Sequence, residues 1–339
     1  MSNFSSIGDL SRSFQLRLAN YNIKSRIDTL VGEVTTGVKS DIAKANGGDL
    51  SQVNQIEGRI EALKTFMMNI HQSTTELTNM QSTLTAIHDI VAFDGPSILA
   101  GSGTGSHNSL LIHASQAADD LEVVVNMLNG SVGGRFLFSG QQTDAAPLVS
   151  ADQMLSQIQA AISGATTVGD IVTAVDQWFD AVAGAGGFLD HTYTGSDNGR
   201  APIPIDRSTS IGTDLTAAAP EIRETLKGLI LGALAWDRRD SIPTTELRDL
   251  MEISGTRLTT AASLLTDLRA HVGMQEQATA RAKVRNESES AALQTARSNL
   301  IGADPYETAT ALKEAVADLQ NIYVITERIS SLKLTDYLR

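Results

Sequence analysis

The chain has 339 residues and a formal net charge of -13, a balance that argues against nucleic acid or an anionic membrane as a partner, since both require clustered Lys and Arg. Hydrophobic residues make up 42% but aromatics only 4%, so the apolar content is mostly Leu, Ile, Val and Ala and points to helix packing. There is no cysteine, which excludes disulfides, thiolate nucleophiles and Cys-ligated zinc together.

Met1 to Asn20 is polar, with no continuous apolar region and no small-residue cleavage site, so a cleaved secretory leader is not expected. Leu16, Asn20, Ile23, Ile27, Leu30 and Val34 step by four and three, the spacing of a heptad seam. This predicts an N-terminal core helix within 1–40. After Asn46-Gly47-Gly48 the seam resumes as Ile56, Ile60, Leu63, Met67, Ile70, Thr74, Leu77, Gln81, Leu84, His88 and Val91. A helical arm is expected over 41–130, its main stretch roughly 60 Å long at 1.5 Å per residue. Within it, residues 93–109 are rich in Gly, Ser and Pro and read as a connector. A helix then follows from Ala114 to Leu128 and is closed by Asn129-Gly130.

Between 131 and 242 the periodicity changes, and an α+β outer middle domain is expected. Arg135-Phe136-Leu137-Phe138 suits a short strand, and Asn198-Gly199 suits a hairpin turn. Short helices are expected over Met154 to Ile162 and Asp170 to Val182, with a third opened by Pro220. The longest apolar run, Leu229 to Trp236, is broken by Gly232 and falls far short of the roughly 20 residues that span a bilayer. Membrane insertion is not expected.

From Pro243 onward, helix-favouring residues predict a C-terminal arm over 243–303 and a C-terminal core helix over 304–339. Asp304-Pro305-Tyr306-Glu307 either restarts the helix, with Asp304 as cap and Glu307 reaching back, or Pro305 kinks a continuous one. Two seams overlap in the last helix. One is Ala309, Leu312, Val316, Leu319, Tyr323 and Thr326; the other is Ala315, Ile322, Ile325, Ile329 and Leu332. An antiparallel N-terminal arm covers one of these, and the remaining stripe is assigned to sister copies of the chain. The expected assembly residues are Leu16, Ile23, Ile27, Leu30, Leu312, Val316, Leu319, Ile322, Tyr323, Ile325 and Ile329. The fold class is therefore mainly α, with long antiparallel N- and C-terminal coiled-coil arms and an α+β middle domain.

Catalytic signatures do not emerge. His71, His88, His107, His113, His191 and His271 form no H-E-x-x-H or other metal spacing. Gly32 through Gly37 followed by Val38, Lys39 and Ser40 has one residue too many for a phosphate-binding loop and no preceding buried strand. Gly101-Ser102-Gly103-Thr104-Gly105 lacks dinucleotide spacing, and no G-x-S-x-G elbow occurs. Neither an enzyme nor a cofactor or metal is expected.

Gly133-Gly134-Arg135-Phe136-Leu137-Phe138-Ser139-Gly140, followed by Thr143-Asp144 and Pro147, resembles the NGRYLFSG-type motif of the flagellar hook-associated protein 3 family, the flagellin-like hook-filament junction proteins. Tyr193-Thr194-Gly195-Ser196-Asp197-Asn198-Gly199-Arg200, leading to Ile203 and Ile205, is similar to that family's middle-domain pattern. Val34-Thr35-Thr36-Gly37-Val38-Lys39 resembles its Leu-Ser-Thr-Gly-Lys run, and Leu334-Thr335-Asp336-Tyr337-Leu338 its ending. The chain departs from the pattern after Lys39, where Asp41-Ile42-Ala43-Lys44 replaces the usual Asp-Asp-Pro segment, and at the Ser2-Asn3-Phe4 opening.

The resemblance implies a flagellin-like fold whose terminal helices assemble with sister subunits into a tubular core, with the middle domain outside. It also implies a place between hook and filament beside another hook-associated protein and flagellin, outside the cell. Export would proceed through the type III apparatus without a cleaved leader, with a chaperone on the C-terminal helix before assembly. The motif residues carried over are Gly134, Arg135, Phe136, Phe138, Ser139 and Gly140. Filament flagellins share the arms but lack the phenylalanine motif and usually carry an Arg-Ile-Asn-type run after the early glycine. A filament flagellin and an autonomous coiled-coil rod or adhesion module are the competing readings.

Overall fold

The computed structural model describes the backbone of residues 7–337 and the side chains of residues 11–329. The Ser2-Asn3-Phe4 opening and Leu338 lie outside the described residues, and so do the side chains of Leu332, Leu334 and Tyr337. In chain order the elements are α1 (Ile7–Thr36), α2 (Ile42–Ala45), α3 (Ser51–Thr104), α4 (His107–Leu128), β1 (Ser131–Val132), β2 (Arg135–Phe136), α5 (Ala151–Ala161) and α6 (Val168–Asp180). They continue with α7 (Phe188–His191), β3 (Ile203–Pro204), β4 (Ser210–Ile211), α8 (Pro220–Asp237), α9 (Thr244–Ile301) and α10 (Pro305–Tyr337). The fold is mainly helical. Its described sheet consists of two antiparallel hairpins, with Ser131 opposite Phe136 and Ile203 opposite Ile211.

The chain divides into two compact units, Met1–Lys64 with Glu287–Arg339 and Thr65–Asn286, here the terminal and central units. In the central unit α8 packs against α4, α5 and α6. Every residue of α8 from Thr225 to Ala235 is buried, as expected of a helix with apolar residues on all sides. Trp178, Phe179 and Phe188 from α6 and α7 stack into the same core, with Phe179 and Phe188 5.1 Å apart. Caps set the helix starts. The Ser150 and Thr167 hydroxyls accept from Gln153 N and Asp170 N, and the Asp170 carboxylate accepts from Thr167 N to complete a capping box.

Three local expectations are decided by the structure. Residues 93–104 are not connector but the last turns of α3, with Pro96 inside the helix. Two of the glycines there, Gly95 and Gly101, serve helix packing. A Cβ on Gly95 would lie 2.7 Å from Thr259 Oγ1, and one on Gly101 2.8 Å from the His113 ring. The helix end is closed from α9, where the Arg248 guanidinium donates to Ser102 O (2.6 Å) and Gly105 O (3.2 Å). The predicted turn at Asn198-Gly199 is also displaced. The hairpin pairs β3 with β4, and its turn is held by Asp206, whose carboxylate accepts from Ser208 N and Thr209 N. At Pro305 the helix restarts: Asp304 Oδ1 accepts from Tyr306 N (2.8 Å) and Glu307 N (3.0 Å). The bonds from Glu307 and then Tyr306 hold the Asp304 carboxyl below its usual range.

Candidate assembly interface

In the terminal unit α1 and α10 pack on each other. Leu30 lines a groove with Thr308 and Ala311, while the Lys24 ammonium sits 6.0 Å from the Tyr323 ring centroid, so the two helices run antiparallel. Ala315 is buried at their contact, and Leu16, Ile23, Ile27, Leu30, Leu312, Leu319, Ile322 and Ile329 are half-buried. The inward stripe of α10 is therefore Thr308, Leu312, Ala315, Leu319 and Ile322, a single heptad line that takes Leu312 and Leu319 from one seam, Ala315 and Ile322 from the other, and Thr308 from neither. Val316, Tyr323 and Ile325 face outward, as does Val324. On α1 the outward set is Phe14 (62% exposed), Leu18, Tyr21 (71% exposed), Val31 and Val34. Eight of the expected assembly residues thus line the seam within the chain, and three stand on the open face.

The junction between these helices and their neighbours is fixed by backbone bonds. Lys39 N donates to Ile301 O (2.9 Å) and Ala303 N to Gly37 O (3.0 Å), closing an antiparallel bridge between Val38 and Gly302. Gly37 takes a φ of +67° there, a conformation that glycine adopts without steric cost. Asn46 Nδ2 donates to Ile42 O and to Leu300 O, fastening α2 to the end of α9. Beyond it, Arg59 of α3 makes a two-bond contact to Glu289 of α9, and Arg297 meets Glu57 at 3.1 Å.

The phenylalanine motif sits in the central unit and is mostly internal. Gly133 and Gly134 form the β1–β2 turn with φ of +60° and +78°, the positive values that a tight hairpin turn demands. Arg135 is exposed, with its Nε donating to Thr143 Oγ1 (3.3 Å). Phe136 is half-buried and Leu137, Phe138, Ser139 and Gly140 are buried. This segment is tied to the second motif. Ser196 N donates to Ser139 O and Gln141 N to Asn198 O, while a Cβ on Gly140 would meet Ser196 O and Asn198 O at 2.5 Å. Arg200 Nη2 donates to Phe136 O (2.7 Å), and Arg200 Nη1 lies 2.5 Å from the carboxylate of Glu76 on α3. The two motifs are thus one knot, pinned to α3 by a buried ion pair.

Sequence reading did not identify Glu76, or Ser73 beside it, as buried; it placed Thr74 on the seam, and Thr74 is exposed. It also missed a charge cluster in the central unit. There the buried Lys227 ammonium meets Asp180 (2.8 Å) and Asp176 (3.5 Å), and Arg257 meets Asp176 (2.6 Å) and Glu224 (3.0 Å). The cluster joins α6, α8 and α9 through ion pairs. The only hint in the sequence was Lys227 just before the apolar run Leu229 to Trp236. His113 packs on Gly101, and His107 contacts Thr244 Oγ1. Among the described residues no three His, Asp or Glu side chains gather as a metal group, and no helix is long and apolar enough to cross a membrane.

No protein-family model matches the sequence, and no curated protein matches it. Among solved structures the chain is similar to FlgL from Bacillus cereus, with a TM-score of 0.51 and 14% identity over 72% of this chain and 100% of that one. A protein from Vibrio parahaemolyticus described as a flagellar hook-associated protein gives a TM-score of 0.40 and 13% identity over 71% of this chain and 95% of that one. The fold is that of the Bacillus cereus protein, whose whole length is matched.

Proposed function

We propose that this chain is a structural subunit of the bacterial flagellum that couples hook to filament. The observation that carries the reading is the outward apolar face of α1 and α10 on a chain of which 72% matches the fold of Bacillus cereus FlgL. A helix pair that buries one stripe and exposes another has its second stripe available to other subunits. Each buried Å² of that stripe contributes roughly 25 cal/mol. Repeated along a helix and around a ring, such contacts transmit torque without any single strong bond, so the function is mechanical and non-enzymatic.

In this reading the partners are sister subunits, an adjoining hook-associated protein and flagellin. An export chaperone shields the apolar face before assembly, and the chain acts outside the cell after export without a cleaved leader. The open-face residues Val316, Tyr323 and Ile325 then make contacts between subunits, while Leu16, Ile23, Ile27, Leu30, Leu312, Leu319, Ile322 and Ile329 hold α1 to α10 so that the face exists. The phenylalanine motif acts inside the central unit as a structural knot.

Electron micrographs of a strain deleted for this chain test the proposal. Hooks without filaments, together with flagellin released into the medium, are expected. Bare hooks with no released flagellin would make the chain the filament subunit, and normal filaments would remove it from the flagellar axis. Complementation with Tyr323→Asp, which places a charge on the apolar face, is expected to fail while the central unit stays folded.

A further inference from the structure

We infer that the central unit holds one buried water molecule between α3 and the 200–213 segment, as a permanent part of the fold. A cavity of about 10 Å³ lies there, lined by Ser73, Glu76, Arg200, Thr213 and the apolar Leu77 and Ile211. That is about the size at which a single water fits. Ser73 is 3% exposed and Arg200 8% exposed. Among the described residues, the Ser73 hydroxyl and the Arg200 Nε have no hydrogen-bond partner.

The Ser73 hydroxyl differs from its neighbours on the same helix. Thr75, Ser82 and Thr85 each donate back to the carbonyl four residues earlier, on His71, Thr78 and Gln81. Ser73 makes no such bond, so its hydroxyl is free for a partner in the cavity. The lining also selects the occupant. A guanidinium repels a cation, and the Glu76 carboxylate, 2.5 Å from Arg200 Nη1, repels an anion. A neutral molecule that both donates and accepts satisfies all three groups, and at this volume that molecule is water. It would accept from Arg200 Nε–H and so satisfy one buried donor of the guanidinium whose ion pair pins the two motifs to α3.

A crystal structure of the full chain, at a resolution that shows ordered solvent, is expected to place density within hydrogen-bond distance of Ser73 Oγ and Arg200 Nε. An empty cavity, or a direct bond between those two groups, would overturn the inference. Thermal melts of Ser73→Ala, compared with the exposed control Ser82→Ala on the same helix, read the site in solution. If the hydroxyl holds water, Ser73→Ala melts about 2–4 °C below the control variant, the size of one lost hydrogen bond in a unit of this length. If the cavity is dry, Ser73→Ala removes an unsatisfied buried hydroxyl and melts at or above the control, which refutes the site.

Discussion

Helices α8 and α10 belong to one chain and meet opposite fates. From Thr225 to Ala235 every side chain of α8 is buried, whereas α10 buries Ala315 and Thr308 and leaves Val316, Tyr323, Val324 and Ile325 in the open. The difference lies in pattern. Apart from Thr225 and the ion-paired Lys227, the 225–235 stretch of α8 is apolar on every side and is covered by its neighbours. α10 carries two apolar lines and has one partner helix. The central unit therefore covers α8 from all sides, whereas the terminal unit leaves apolar side chains of α1 and α10 exposed, and under the assembly proposal its stability depends on what it meets.

Hydrogen exchange on the dilute chain gives the widest separation between the two regions. Amides of α8 should open only with global unfolding and be protected by a factor of about 10⁴ or more, while those of α1 and α10 should exchange through local opening at least a hundredfold faster. Assembly with sister copies should slow the α10 amides and leave α8 unchanged. Equal, strong protection at Ile23, Ile27, Leu319 and Ile322 in the monomer would erase the contrast and the assembly proposal with it.

Side-chain truncation sharpens the same comparison. Phe138 is fully buried in the knot, so Phe138→Ala should destabilise the central unit by about 3–5 kcal/mol in a denaturant titration. Tyr323→Ala removes a half-exposed ring and should change monomer stability by no more than about 0.5 kcal/mol. Its loss should be read in the yield of assembled material. A large monomer effect at Tyr323 would mean that the open face is already covered within the chain.

Much of this architecture was legible in the sequence. The heptad line from Ile56 to Val91 lies in α3, and nearly every position on it is buried or half-buried. The restart at Asp304-Pro305 follows from cap chemistry that one segment contains. The failures have a common cause: a residue's role there depends on a distant partner. Gly95 and Gly101 read as loop because the sequence does not show Thr259 or His113 lying against them. Nothing near Glu76 in the sequence marked it as buried, because its partner Arg200 lies far along the chain. The two seams of α10 could not be sorted into inward and outward lines without the rotation that α1 imposes.

Acid titration separates the central unit again, through Asp94 of α3 and Asp120 of α4. Both are buried, and Gln116 Nε2 donates to Asp120 Oδ2 (2.9 Å). Burial first, then the hydrogen bond and the negative charge of Asp120, push the Asp94 carboxyl up to about 7. The unfolded chain releases that proton near pH 4 and the folded chain near 7. Stability therefore falls as pH rises through this window, by at most about 1.4 kcal/mol per unit, and levels off above it. Below pH 4 the sign reverses, because Asp170, Asp190 and Asp304 are held low by hydrogen bonds and lose them on protonation. Denaturation midpoints at pH 5 and pH 8 should differ in the native chain and converge in Asp94→Asn. A slope that survives the substitution would place the titration elsewhere.

Two helical glycines, one in each unit, should give effects of opposite sign. Gly255 of α9 lies in the central unit against α3, where a Cβ would stand 2.9 Å from Gly95 O and 3.0 Å from Leu99 Cγ. A backbone oxygen at that distance cannot rotate away, so Gly255→Ala must part the two helices and should cost about 1–3 kcal/mol. Gly58 of α3 lies in the terminal unit with nothing within 4 Å of its Cβ position. There alanine only restores helix propensity, and Gly58→Ala should stabilise the monomer by up to about 1 kcal/mol. Melting curves of both variants decide the matter. If Gly58→Ala also destabilised the free chain, a neighbour would already occupy that surface of the terminal unit.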